Sequence, residues 1–150
     1  MTDSPLFPHL SYAQAVHTAL LDADMRPHAY QVLITAPTSD AGPASGPELE
    51  IHAAWTNTHR FVKARVMPHG FRLVWKHTTG WSVTQMLLRN LEQLPVPCIA
   101  DPAFIAETAC DLGMNGLPIA IDGDAAAQWN DSPRLLHDVR HWHNSQTHNA

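Results

Sequence analysis

Lys63, Arg65, Arg72 and Lys76 lie in a stretch, between Glu50 and Glu92, that contains no acidic residue. Alternate residues of a strand point to one side, so Lys63 with Arg65, and Arg72 with Lys76, are expected to project from a single face of paired strands. Ammonium and guanidinium groups gathered in this way make an anion-binding surface. The acid-free window of 41 residues carries six basic side chains, +6 against −11 for the remainder and −5 for the chain. An acidic protein segment or a phosphorylated ligand fits as partner. Nucleic acid is disfavoured, because the net charge is negative and Phe61 is the one aromatic expected beside these cations, whereas single-strand binders interleave several. The same four residues also have a bland explanation: an outer sheet face must be polar, and nearby carboxylates can neutralise it.

Histidine offers a second chemistry. His77, expected to point toward Trp81, would serve as a general base if Trp55, Trp75 and Trp81 lined a pocket, although a hydrogen-bonded structural histidine accounts for it too. His137 and His141 stand at i and i+4 on one helical face, with His143 and His148 nearby. That spacing can hold two metal ligands, but the Glu of a His-Glu-x-x-His site is missing and no third ligand can be named, so neither metal nor cofactor is expected. Cys98 and Cys110 form no Cys-x-x-Cys pair and read as buried free thiols. No nucleophile elbow, phosphate-binding loop or dinucleotide fingerprint is present.

The elements that must position these groups follow from periodicity. Ser11 and Gln14 resemble a capping box, and Tyr12, Val16, Ala19 and Leu20 recur at helical spacing, which predicts a first helix over Tyr12–Asp24. Ala29–Ala36 is a strand apolar on both faces, which suits a central place in a sheet, its order being open. Leu49, Ile51, Ala53 and Trp55 alternate with Glu50, His52 and Ala54 as in a half-buried strand. Val62, Ala64 and Val66 predict another, then Phe71, Leu73 and Trp75, then Trp81 and Val83.

Turn parity joins them, because opposed residues of an antiparallel pair share a face. A His69-Gly70 turn sets Val66 against Leu73 and Lys63 against Lys76; a Thr78-Thr79-Gly80 loop with a left-handed Gly80 sets His77 against Trp81 and Trp75 against Val83. Asp101-Pro102 opens a helix that carries Phe104, Ile105, Ala109 and Leu112 and stops at Gly113. Ser132-Pro133 opens a last one with Leu135, Leu136, Val139 and Trp142. The expected fold is α+β, an antiparallel meander of four to five strands with helices on its tryptophan face.

At 150 residues and 45% apolar composition the chain suits a single domain, with a flexible Pro37–Pro47 loop. No apolar run reaches the roughly 18 residues of a membrane span, and Asp3 stands where a leader would be cationic. A cytoplasmic protein is expected.

The run Leu73-Val74-Trp75-Lys76-His77-Thr78-Thr79-Gly80-Trp81, with Asp101-Pro102 about twenty residues later, resembles a group of small actinomycete proteins of unknown function. They share a Leu-x-Trp strand, a turn ending in Gly-Trp and a helix opening with Asp-Pro, a pattern covering about a third of this chain. The resemblance implies a small stand-alone bacterial domain and brings no activity. The leading reading is a non-catalytic binding or accessory domain for an anionic partner, through Lys63, Arg65, Arg72 and Lys76. The alternative is a small enzyme with a tryptophan-lined pocket between helices and sheet, His77 or another histidine as proton-transfer group and the long loop as lid. A homodimer through an apolar edge or face of the sheet is a third reading.

Overall fold

Leu49, Ile51, Ala53 and Trp55 all turn to the interior from β2 (Glu48–Trp55), as their alternation requires. Phe71, Leu73 and Trp75 do the same from β3 (Phe71–Lys76), and Trp81 with Val83 from β4 (Gly80–Gln85). The computed structural model describes residues 7–35, 47–88, 90–117 and 127–148. Its sheet is antiparallel, completed by β1 (Ala29–Thr35) and the two-residue β5 (Glu92–Gln93), in the order β1-β2-β3-β4-β5. Helices α1 (Leu10–Asp22), α2 (Pro102–Asn115) and α3 (Ser132–His148) complete the α+β architecture. Tyr12, Val16 and Leu20 of α1, Ile105, Ala109 and Leu112 of α2, and Leu135 and Trp142 of α3 join the tryptophans in one buried core.

The strand expected over Val62–Val66 does not form. Trp55 pairs directly with Phe71, Ala53 with Leu73 and Ile51 with Trp75, so β3 takes the place beside β2. The reward is a stack of Trp55 on Phe71, ring centroids 4.8 Å apart and 19° from parallel. Residues 56–70 fold instead into successive turns, with Val62 N–H bonded to His59 O (3.0 Å) and Met67 N–H to Lys63 O (2.9 Å). Val62 and Met67 are buried while Ala64 is exposed, which is turn-like spacing, not alternation. Lys63 therefore does not face Lys76, and the cations of this segment do not belong to the sheet.

The other differences are smaller. β1 is an edge strand, since β3 occupies the far side of β2. The β3–β4 register sets Trp75 opposite Trp81 and Leu73 opposite Val83, two residues from the expected pairing, with His77-Thr78-Thr79 as the loop and Gly80 at φ +84°. A shift of two leaves every side chain on its face. Helix α1 starts at Leu10 with His9, not Ser11, at its cap. Helix α2 runs through Gly113 to Asn115 and ends at Gly116, whose φ is +73°. The 37–46 part of the expected loop lies outside the described residues.

His9 is buried against Trp75, with ring centroids 6.0 Å apart. Its Nε2 donates to Glu50 O at 3.2 Å, which leaves Nδ1 as a buried lone pair without a hydrogen bond. Burial lowers the His9 pKa from 6.5, and burial does the same to His77. Between each depressed value and 6.5 the unfolded chain binds more protons than the folded one, so stability present above about pH 6.5 is lost on acidification. The urea midpoint should therefore fall between about pH 7 and pH 5, and His9→Phe should flatten that fall by up to about 1.4 kcal/mol per pH unit. An unchanged slope in the variant would contradict this.

Candidate functional site

Only two of the four expected cations, Arg72 and Lys76, stand on the outer face of the sheet. They share it with Glu48, Glu50 and His52 of β2, and Lys76 is directly opposite Glu50. Glu50 is 6% exposed and accepts hydrogen bonds from Thr35 Oγ1 (2.5 Å) and His52 Nε2 (2.8 Å). Burial works against its charged form, but those two bonds and the charges of His52 and Lys76 outweigh it, holding the carboxyl below 4.5. Arg72 lies between Ala54 and Thr84, its Nε buried and without a hydrogen bond. The outer face is thus charge-mixed, its own strands supplying the carboxylates. Lys63 and Arg65 are exposed on the β2–β3 connection, where Lys63 N–H bonds Gly113 O of α2 (2.8 Å).

Trp55, Trp75 and Trp81 pack into the core and line neither of the two cavities described below. Trp55, Trp75 and Trp81 are buried and each indole N–H is satisfied, by Met25 O (2.9 Å), Cys98 O (2.7 Å) and Tyr12 Oη (3.0 Å). His77 Nδ1 accepts the Leu49 N–H (3.0 Å), and its ring meets Trp142 edge-on with centroids 6.3 Å apart. It is a capping histidine at the end of the sheet. Among the described residues no group of three or more His, Cys, Asp and Glu could hold a metal, and no helix is long and apolar enough to cross a membrane. Cys98 and Cys110 are free, Cys98 exposed and not buried as expected, with partial burial raising its thiol pKa and so opposing thiolate formation.

A different basic cluster assembles where the α1–β1 and β2–β3 connections meet. Antiparallel pairing of Ala29 with Ala54 brings the start of β1 beside the end of β2, so residues just before one and just after the other become neighbours. The first connection is firmly tied: Met25 N–H bonds Leu20 O (2.8 Å), Met25 is buried, and Asp24 adopts φ +63°. His28 N–H then opens the ladder on Ala54 O (2.8 Å).

The result is a cavity of about 560 Å³ lined by Asp24, Arg26, Pro27, His28, His59 and Arg60. Arg60 pairs with Asp24, the one carboxylate of the lining, and its guanidinium lies 4.6 Å from the Phe61 ring centroid. His28 Nδ1 accepts the Thr56 N–H (3.2 Å) and His59 Nδ1 the Phe61 N–H (3.1 Å). In its neutral form each ring therefore carries its proton on Nε2, which in His28 lies 3.2 Å from Thr56 Oγ1 and 3.5 Å from Thr58 Oγ1. Their centroids are 6.3 Å apart, and burial, then the charge of His28, lowers the His59 pKa from 6.5. Two guanidinium forks, one of them shared with Asp24, together with the His59 Nε2 donor and the threonine-bonded ring of His28, make an arrangement suited to phosphate or carboxylate oxygens.

Arg60 belongs to the acid-free window, whereas Arg26 and His28 lie outside it. The signal that finds them is the strand pairing: Arg26-Pro27-His28 precedes β1, and His59-Arg60 follows β2. No family model matches the chain, and neither a curated protein nor a solved structure shows significant similarity to it.

Proposed function

We propose that the protein is a non-catalytic binding domain for a small phosphorylated anion, held in the cavity between the α1–β1 and β2–β3 connections. Convergence of Arg26, His28, His59 and Arg60 on a space of about 560 Å³ carries this reading. That volume falls within the roughly 300–1,000 Å³ of small-ligand sites, which favours a compact ligand over an extended acidic segment. The setting proposed is the cytoplasm of a bacterium, in keeping with the hairpin's likeness to small actinomycete proteins.

Inorganic pyrophosphate, titrated calorimetrically at low salt, is the probe. Arg26→Glu/Arg60→Glu should weaken binding by about 100-fold or more, since each lost charge-assisted bond is worth roughly 1.5–3 kcal/mol. Arg72→Glu/Lys76→Glu should leave it unchanged. Anion binding favours charged imidazole, and burial opposes that form in His59, so affinity should rise as pH falls through the range where His59 gains its proton. Affinity retained in the Arg26/Arg60 variant, or lost in the Arg72/Lys76 variant, would overturn the assignment.

A further inference from the structure

The opposite end of α1 borders a larger cavity, about 700 Å³, between the start of that helix and the start of α3. Thirteen residues of helix at about 1.5 Å each place it roughly 20 Å from the basic cavity, so the two are independent sites. Phe7 and Leu10 line it with 39% and 42% of their surfaces exposed. Trp129 forms another wall and is fixed in place, its ring centroid 5.0 Å from that of Tyr12 and its backbone N–H bonded to Ile99 O (2.8 Å).

Helix α3 and the turn before it contribute charges that alternate in sign: Asp131, Arg134 and Asp138 all line the cavity. Spacings of three and four residues set them along one helical face. None of the three is in an ion pair; among the described residues the pairs are His52 with Glu50 and Arg60 with Asp24. Ser11 and Gln14 supply the neutral polar groups from α1. A ligand of a single charge would answer one sign here and face the other unpaired, which disfavours it. A zwitterion answers both.

We propose that this groove is a second binding site, for an α-amino acid with an apolar side chain. Its carboxylate would meet the guanidinium of Arg134 and its ammonium the half-buried Asp138, one helical turn further on, while the side chain lies against Phe7, Leu10 and Trp129. Asp131, at the exposed end, adds to the preference for a ligand that carries an ammonium group.

L-Phenylalanine is the first probe, with phenethylamine and 3-phenylpropionate as analogues lacking one charge each. Amide and indole NMR spectra of the full chain should show saturable shifts at Trp129 Nε1–H and at the amides of Leu10, Ser11 and Arg134. Each analogue should bind at least about 5-fold more weakly, and Arg134→Gln should bring phenylalanine down to the level of phenethylamine. Asp138→Asn should bring it down to that of 3-phenylpropionate. Equal binding of either analogue, shifts confined to other residues, or no shift at about 10 mM phenylalanine would overturn the proposal. None of these outcomes bears on the basic cavity, whose probe is pyrophosphate.

Discussion

Gly70→Ala is expected to destabilise the domain by about 3 kcal/mol or more, a large part of the 5–15 kcal/mol that holds a domain of this size folded. Two costs combine. Gly70 has φ +82°, where an L side chain loses about 1–2 kcal/mol. A Cβ built there would lie 2.0 Å from Trp55 O and 2.9 Å from Thr56 Cα, both backbone atoms that no rotamer change can move. Relief requires the end of β2 to separate from Phe71, and that pair carries the Trp55–Phe71 stack. Gly80→Ala is the internal control: its φ of +84° is nearly the same, but the nearest neighbour of an added Cβ is Cys98 Cα at 3.1 Å. That substitution should cost about 1–2 kcal/mol. Urea denaturation followed by tryptophan fluorescence measures both, and a difference under about 1 kcal/mol would show that the steric argument is wrong.

The same glycine explains where sequence patterns succeed here. Gly80 at a left-handed position and the alternation on either side of it were enough to sort Trp75, Trp81, Leu73 and Val83 onto the core face, and a pairing error of two residues left that sorting intact. Asp101-Pro102 and Ser132-Pro133 mark helix starts for the expected backbone reason, although Asp101 makes no side-chain capping bond. The alternation misleads at residues 61–67, which form turns. Five positions with apolar residues on both sides are too few to separate a period of two from a turn that buries Val62 and Met67. Lys63 and Arg65 belong to the sheet only if that strand forms, and because it does not they lie on the β2–β3 connection.

Gly113 shows why local signals misled at α2. Its Cβ would come within 2.5 Å of Phe61 O, so the position excludes a side chain because the β2–β3 connection crosses there, not because the helix ends. Such a constraint is tertiary and leaves no periodic trace. The basic cavity has the same character: its four nitrogen-bearing side chains come from two connections about thirty residues apart, and only the Ala29–Ala54 pairing makes them neighbours. β5 is two residues long, below the length at which alternation can be read.

Tyr12→Phe is expected to cost about 2–6 kcal/mol while preserving the ring, because the hydroxyl closes two buried hydrogen-bonding groups at once. Tyr12 is fully buried, its Oη donates to Ala100 O at 2.6 Å, and it accepts the Trp81 indole N–H at 3.0 Å. Burial raises its pKa far above the ordinary 10, so the phenol stays a neutral donor throughout the accessible pH range. Without the oxygen, a carbonyl and an indole N–H are left unpaired in the core, each at about 1–3 kcal/mol. Tyr30→Phe separates this from the loss of any hydroxyl: Tyr30 is half-buried and makes a single bond, to Ala13 O at 2.6 Å, so about 1 kcal/mol is expected. The Trp81 indole proton should also exchange faster in Tyr12→Phe alone, since the hydroxyl joins α1 to β4 at that atom. Equal destabilisation in the two variants, or unchanged exchange at Trp81, would mean that the aromatic ring contacts of Tyr12, with Trp75 at 5.4 Å and Trp129 at 5.0 Å, hold this junction without the hydroxyl.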